Sequence, residues 1–355
     1  MKRNANVELI RSLSLAFGPT GCEGEVADLI EEKASPFADS IKRDRFGNVI
    51  ARMTFGGGNK KMMISSHMDE VGFMITEICD DGYLRFDTVG GIDGSVLAGR
   101  RVTLGDGLNR VRGLIASKAI HHKSKEDRKK VLSAEKLYID IGACSREEAE
   151  KYLEIGSFGT FDSEFILFGT DDRKVKSKAL DDRMGCAAML EVMESRFNDR
   201  PRVDLDVYFC FTVREEIGLS GATVAANAIS PHLALVLETT AIGYIADAAP
   251  ASRVADVGGG GVLSLMDRAT IYDRDFVKFL LDTAKENNIK TQVKRYVSGG
   301  NDAGNIHKTG IGVRSAALSV PTRYLHSPAC VASLDDYESL RDLCEAAVRS
   351  FDHNI

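Results

Sequence analysis

Seven residues of this 355-residue chain could together bind cations and move protons: His67, Asp69, Asp181, the adjacent pair Glu215-Glu216, Glu238 and His326. Singly they are weak signals, and an isolated Glu-Glu is ordinarily a solvated pair. What raises them is position, since each follows an apolar strand-like run or opens a helix. Two imidazoles with several carboxylates and no thiolate suit Zn2+, Co2+ or Mn2+, and the lack of cysteine in the set argues against a structural zinc knuckle. The surplus of carboxylates points to two divalent ions sharing one bridging Asp, because without that positive charge the acids would repel one another. Neighbouring glutamates cannot do the same job. One of Glu215 and Glu216 can bind a metal while the other serves a water as general base.

Such a site needs strands to deliver its groups. Residues 207–213 are apolar, β-branched and aromatic, so they predict a buried strand of a parallel sheet, with Glu215 and Glu216 just past its carboxyl end and a glycine-marked turn into a helix over 220–228. Met62, Met63 and Ile64 predict a second buried strand that leads to His67 and Asp69, and residues 232–238 a third that ends on Glu238. Asp181 opens a helix with an apolar stripe through Ala188, Leu190, Val192 and Met193, and His326 follows a strand over 312–319. A parallel sheet gathers such ends along one edge, where ligands bind in open α/β folds. Helices are also expected over 271–287 and 333–350, two more within 5–35, and a hairpin over 41–55 that turns near Gly47-Asn48.

Between residues 71 and 165 the texture changes to short β-like runs separated by Asp-Gly and Gly-Gly turns, which reads as a small barrel or sandwich inserted into the α/β part. Such an insertion is expected to have little core of its own. It includes a charged loop, residues 121–130, whose adjacent His121 and His122 read better as solvated than as ligands. The run Gly258-Gly259-Gly260-Gly261 lacks the Gly-Lys-Ser/Thr ending of a phosphate loop and reads as a plain loop.

Composition excludes other classes. Lys plus Arg number 46 against 52 Asp plus Glu, a net charge of −6 with no basic stripe, so nucleic acid is not an expected partner. The first residues enter an amphipathic pattern with no signal-peptide core, and no apolar run is long enough to span a membrane. The seven cysteines are scattered and form no Cys-x-x-Cys, which fits a reduced cytoplasmic protein.

Five segments carry a resemblance: His67-Met68-Asp69-Glu70-Val71-Gly72-Phe73, Ala179-Leu180-Asp181-Asp182-Arg183, Arg214-Glu215-Glu216-Ile217-Gly218-Leu219, Asp302-Ala303-Gly304 and Tyr324-Leu325-His326-Ser327-Pro328. In this order, with a β insertion between the first and second, they resemble the M42 metallo-aminopeptidases, including the glutamyl and the self-compartmentalising tetrahedral types. The resemblance implies a zinc-exopeptidase-like α/β fold with a mixed, mostly parallel sheet flanked by helices, a catalytic domain formed by residues 1–70 and 166–355, and an inserted β-barrel-like domain, residues 71–165, for oligomerisation. It implies two divalent metal ions bridged by Asp181, one completed by Glu216 and His326 and the other by His67 and Glu238. Asp69 would orient the His67 ring, Glu215 would be the general base, and Asp182 would support the site. Many members have Asp where this chain has Glu238, and residues 118–122 replace a Pro-Pro-His pattern.

The activity implied is removal of N-terminal residues from short peptides by a homo-oligomer, most naturally a dodecamer. Three other readings compete: a related metal-dependent amidase or deacylase on acylated amino acids, an endoglucanase-type glycoside hydrolase, and a non-catalytic scaffold. The glycosidase reading is weakened by the absence of Trp, since sugar-binding platforms commonly use aromatic faces. The scaffold reading gives no reason to retain every ligand and the base together.

Overall fold

The computed structural model describes residues 3–58, 60–107, 109–125, 129, 131–200, 203–243 and 253–351. Residues 1 and 2 of the amphipathic start, and 126–128 and 130 of the charged loop, lie outside the described residues. The chain opens with α1 (Val7–Leu15) and α2 (Gly24–Ala34), the hairpin β1 (Ser40–Arg43) and β2 (Val49–Phe55), and β3 (Lys60–His67). Then come β4 (Gly72–Ile78), β5 (Leu84–Val89), β6 (Arg101–Leu104), β7 (Val111–Ala116), β8 (Tyr138–Asp140), the one-turn α3 (Arg146–Ala149) and β9 (Phe158–Phe161). The short β10 (Ile166–Phe168) and β11 (Lys174–Ser177) lead to α4 (Leu180–Asn198), β12 (Leu205–Thr212), α5 (Ser220–Ile229), β13 (Leu233–Ala241) and β14 (Gly261–Leu263). The remainder is α6 (Arg274–Glu286), β15 (Thr291–Val293), α7 (Ala303–Ile306), β16 (Arg314–Thr322), β17 (Cys330–Ser333) and α8 (Leu334–Arg349).

An eight-stranded sheet in the order β1-β2-β12-β3-β13-β16-β14-β15 forms the centre. Its four middle strands run parallel, and antiparallel neighbours, β2 and β14, flank them. Helices cover both faces, as a parallel sheet requires: α4, with α1, α2 and α8 around it, on one side, and α5 with α7 on the other. This explains why β12, β13 and β16 read as continuous apolar runs rather than as alternating ones.

Two local expectations need correction. The apolar stripe of α4 is in fact a helix buried on every side from Arg183 to Met193, about three turns, because it lies between the sheet and three other helices. Strand β13 extends beyond Glu238 to Ala241, so Glu238 is not a strand end. Pairing of β13 with β3 stops at Val236 opposite Ser65, and β3 itself ends at His67, so Glu238 faces the gap that β3 leaves.

Strands β4 to β9 close into a barrel in the order β4-β5-β8-β7-β6-β9, with β9 pairing back onto β4. Contrary to expectation, the barrel has its own core, in which Phe73 meets Phe86 and Phe161 edge-on with ring centroids 5.4 and 5.0 Å away, among Ile75, Val102, Ile115 and Ile139. Closure also leaves the barrel without open edges of the kind that promote strand pairing. A three-stranded sheet, β10-β11-β17, was not foreseen. The glycine run before β14 holds no phosphate-loop geometry; its Gly258 and Gly260 amides donate to the Asp336 carboxylate at 2.6 and 2.7 Å. Among the described residues no helix is long and apolar enough to cross a membrane.

Candidate active site

All seven predicted residues converge beyond the carboxyl ends of β3 and β12 and beside β13. His67 is the last residue of β3 and is 2 % exposed. Its Nδ1 lies 3.1 Å from the backbone carbonyl of Asp69, which can only accept, so Nδ1 carries a proton and Nε2 is the nitrogen turned to the carboxylates. That Nε2 faces Asp181 Oδ1 at 3.2 Å and Glu238 Oε1 at 3.5 Å. His326, in the loop between β16 and β17, repeats the pattern: Nδ1 donates to the Gly91 carbonyl at 2.7 Å, and Nε2 faces Asp181 Oδ2 and Glu216 Oε1, both at 3.3 Å. Asp181 thus turns one oxygen to each imidazole.

Potential ligand atoms of His67, Asp181 and Glu238 lie within 4.8 Å of one another, as do those of Asp181, Glu216 and His326 and those of His67, Glu215 and Glu216. Two imidazole Nε2 atoms beside shared carboxylates, each ring fixed by a carbonyl behind it, form a donor set that fits borderline divalent ions once those nitrogens give up their protons. Among the described residues, His121 and His122 belong to no such group and sit exposed in a helical turn of the barrel.

Local backbone conformation delivers these groups. Ala179, Arg214 and His326 have φ of 50, 56 and 57°, a left-handed conformation that costs a non-glycine residue about 1–2 kcal/mol and clusters at functional sites. Asp181 and Asp182 themselves have non-helical dihedrals, so the regular part of α4 begins after them and Asp181 is free to point at the histidines. Gly90, at φ +85° just past β5, brings the loop between β5 and β6 against the site: a Cβ there would sit 2.8 Å from Val71 and 3.3 Å from Glu216. Neighbouring Gly91 supplies the carbonyl to His326, so the barrel holds one of the proposed ligands.

The charges are arranged as an unshielded cluster. Burial and the neighbouring Asp181 charge push Glu216 up to about 7, and burial pushes Glu238 up to about 8. Glu215 is raised well above the usual carboxylate range, again first by burial. Burial works against ionised Asp181 but is outweighed by hydrogen bonds from His326 and His67, which hold it well below its usual value. Likewise burial opposes the charged form of His326, and contacts with Asp181 and Glu216 overcome it, raising the ring to about 9. Protons here do what a dication would do, since two unit charges 4 Å apart interact by about 4 kcal/mol at an effective dielectric of 20.

Further groups surround the site, and two of them, Glu70 and Thr20, had no role assigned from sequence. The Asp69 carboxylate is farther from His67 Nδ1, 3.4 Å, than its own backbone carbonyl, and its closer donors are the Thr20 hydroxyl at 2.8 Å and the backbone amides of Glu215 and Glu216 at 3.1 and 3.2 Å. Asp182 accepts from Ser66 Oγ at 2.5 Å and from the Gly185 amide at 3.2 Å. Glu70 is buried between the two parts of the chain: it accepts from Lys178 Nζ at 2.5 Å and, from the barrel, Thr160 Oγ1 at 2.7 Å. Nothing in the residue types around Thr20, a Gly-Pro-Thr-Gly turn between helices, signals such a role.

A helix-flanked mixed sheet with histidines and carboxylates convergent at its strand ends forms a possible metal-binding site, the arrangement on which the comparison with known families bears. The model of the M42 glutamyl aminopeptidase family matches residues 47–343, and the chain belongs to that family and is a peptide hydrolase. It is 30% identical to the lysyl aminopeptidase of Pyrococcus furiosus over 96% of this chain and 95% of that one. The TET aminopeptidase of a marine-sediment Thaumarchaeota archaeon superposes with a TM-score of 0.94 at 34% identity, covering 98% of this chain and 96% of that one. The Pyrococcus horikoshii TET1 peptidase, described as able to assemble into a tetrahedron or a large octahedral shell, has a TM-score of 0.87 at 33% identity, covering 97% and 99%.

Proposed function

We propose that this protein is a dinuclear metal-dependent aminopeptidase that removes N-terminal residues from short peptides, with Glu215 as general base. The observation that carries this reading is Asp181, whose two oxygens each face a different histidine Nε2 at 3.2 and 3.3 Å. His67, Asp181 and Glu238 would hold one divalent ion, and Asp181, Glu216 and His326 the other. Four carboxylates, Asp181, Glu215, Glu216 and Glu238, against two neutral imidazoles sum to a charge that two dications balance. Bound Zn2+, Co2+ or Mn2+ would supply Lewis-acid polarisation of the scissile carbonyl and acidify a water.

Glu215 shares a 4.8 Å neighbourhood with His67 and Glu216, one residue from each proposed triad, so its carboxylate can take a proton from water held between them. The same carboxyl group then returns the proton to the leaving amine. Glu215 is only partly buried, which lets it meet substrate, while Asp181 and Glu238 are enclosed. Glycoside hydrolysis would use two carboxyl groups on either side of a sugar linkage, whereas the acids here converge on imidazoles.

Aminoacyl-p-nitroanilides and short peptides should be hydrolysed, N-acyl amino acids should not, and a chelator should stop the reaction until divalent metal is restored. Turnover of N-acyl amino acids alone would move the assignment to an amidase. Self-association into a closed shell, most naturally a homododecamer with residues 71–165 in its contacts, is proposed from the likeness to shell-forming relatives. Light scattering at micromolar concentration should give a mass many times the 38.6 kDa of one chain; a single monomeric mass would refute it. The seven unpaired cysteines accord with the cytoplasm as the proposed location.

A further inference from the structure

We infer that the segment 18–23, between α1 and α2, is a positioning element for Glu215 and Glu216, acting through Thr20 and Glu23; this rests on the reading of Glu215 as the base. Three successive backbone amides leave β12 pointing the same way. The Arg214 amide donates to Glu23 Oε1 at 3.3 Å, the Glu215 amide to Asp69 Oδ1 at 3.1 Å and the Glu216 amide to Asp69 Oδ2 at 3.2 Å. Consecutive amides that follow a left-handed residue form a concavity for anions, and Arg214 is that residue, with φ 56°. Here the concavity is filled by two of the protein's own carboxylates, so it serves to fix the chain rather than to receive substrate.

Asp69 grips both amides at once only if its carboxylate plane is held. Thr20 does this: its hydroxyl donates to Oδ2 at 2.8 Å, and both groups are buried, at 3 % and 0 % exposure. Thr20 is in turn locked to β3's exit, its amide donating to the Glu70 carbonyl at 3.0 Å while the Glu70 amide donates to Gly18 at 3.0 Å. Without the hydroxyl, Oδ2 loses a donor and the carboxylate can swing toward His67 Nδ1, now 3.4 Å from Oδ1. Glu23 closes the other end, with Oε1 also accepting from the Gly21 amide at 2.8 Å. The two acids that follow are therefore aimed by a loop some 190 residues away in sequence.

The test is Thr20→Val against Thr20→Ser in the full-length, metal-saturated enzyme. Since a misplacement of about 1 Å costs about 10²-fold in rate, Thr20→Val should lower kcat about 10- to 100-fold with KM little changed, and Thr20→Ser should restore it. Hydrogen–deuterium exchange of the 214–216 amides should speed up in Thr20→Val and not in Thr20→Ser, with bound metal per chain equal in both. In a Glu215→Gln background the Thr20→Val penalty should be clearly smaller than in the wild-type background. Glu23→Ala against Glu23→Gln, which keeps an acceptor oxygen, reads the same clamp from its other end should Thr20→Val not fold. Equal impairment of Thr20→Val and Thr20→Ser, or an undiminished Thr20→Val penalty in the Glu215→Gln background, overturns the inference while the base assignment stands. Wild-type kcat in Glu215→Gln overturns both.

Discussion

Glu215→Gln is expected to lower kcat by about 10²- to 10⁴-fold, the usual worth of a general base, while bound metal stays at the wild-type level; Glu216→Gln is expected to lose metal together with rate. The two neighbours diverge because their side chains leave one pinned backbone in different directions. Glu216 Oε1 is 3.3 Å from His326 Nε2, inside the group it forms with Asp181, so an amide there removes a charged ligand from a site of three. Among the described residues Glu215 groups with His67 and Glu216 but not with Asp181 or His326. An amide at 215 preserves shape but cannot accept the proton of water, and both amides 215 and 216 still reach Asp69, so the backbone should not move. Metal analysis of the two purified variants beside steady-state kinetics decides it. Near-wild-type kcat for Glu215→Gln at saturating metal, or metal retention by Glu216→Gln alone, would reverse the assignment.

The site was legible in sequence to the extent that strands announce themselves. Met62 to Ile64, residues 207–213 and residues 233–237 are apolar on both faces because helices cover the sheet on both sides, and that pattern placed His67, the glutamate pair and Glu238 at one edge. Where the sheet ends was less legible. Nothing local told that β13 would run on to Ala241, since its continuation depends on β3 turning away at His67, a long-range event. The barrel illustrates the same limit. Its short strands and turns read correctly as β, but the amount of core depends on closure of β9 onto β4, which no single strand records. Gly91 and the Asp69 grip on two amides were invisible for a further reason: hydrogen bonds to backbone groups leave no residue-type signature on the partner, while the Thr20 hydroxyl meets a carboxylate 49 residues away in sequence. The carboxylate of Asp69 was expected to orient His67, and the structure gives that ring's nearer contact to a carbonyl instead.

Asp181→Ala is expected to lose both metal ions, whereas His67→Ala and His326→Ala should each weaken one ion first. Asp181 is the only group among the described residues that belongs to both the His67–Glu238 and the Glu216–His326 groupings, so its loss removes an anionic ligand from each at once. Removing His67 leaves Asp181, Glu216 and His326 together; removing His326 leaves His67, Asp181 and Glu238. Ligand loss should also be visible as stability, because an ion bound to the folded state at about 100 times its Kd contributes about 2.7 kcal/mol. Saturating metal should therefore raise the melting temperature of the chelated wild type, raise that of the histidine variants less, and leave Asp181→Ala unmoved. Inductively coupled plasma measurement should find two ions per wild-type chain, about one in each histidine variant at limiting metal, and none in Asp181→Ala. Two ions per chain in Asp181→Ala, with an undiminished thermal shift, would remove the bridge from the centre and with it the dinuclear reading of the site.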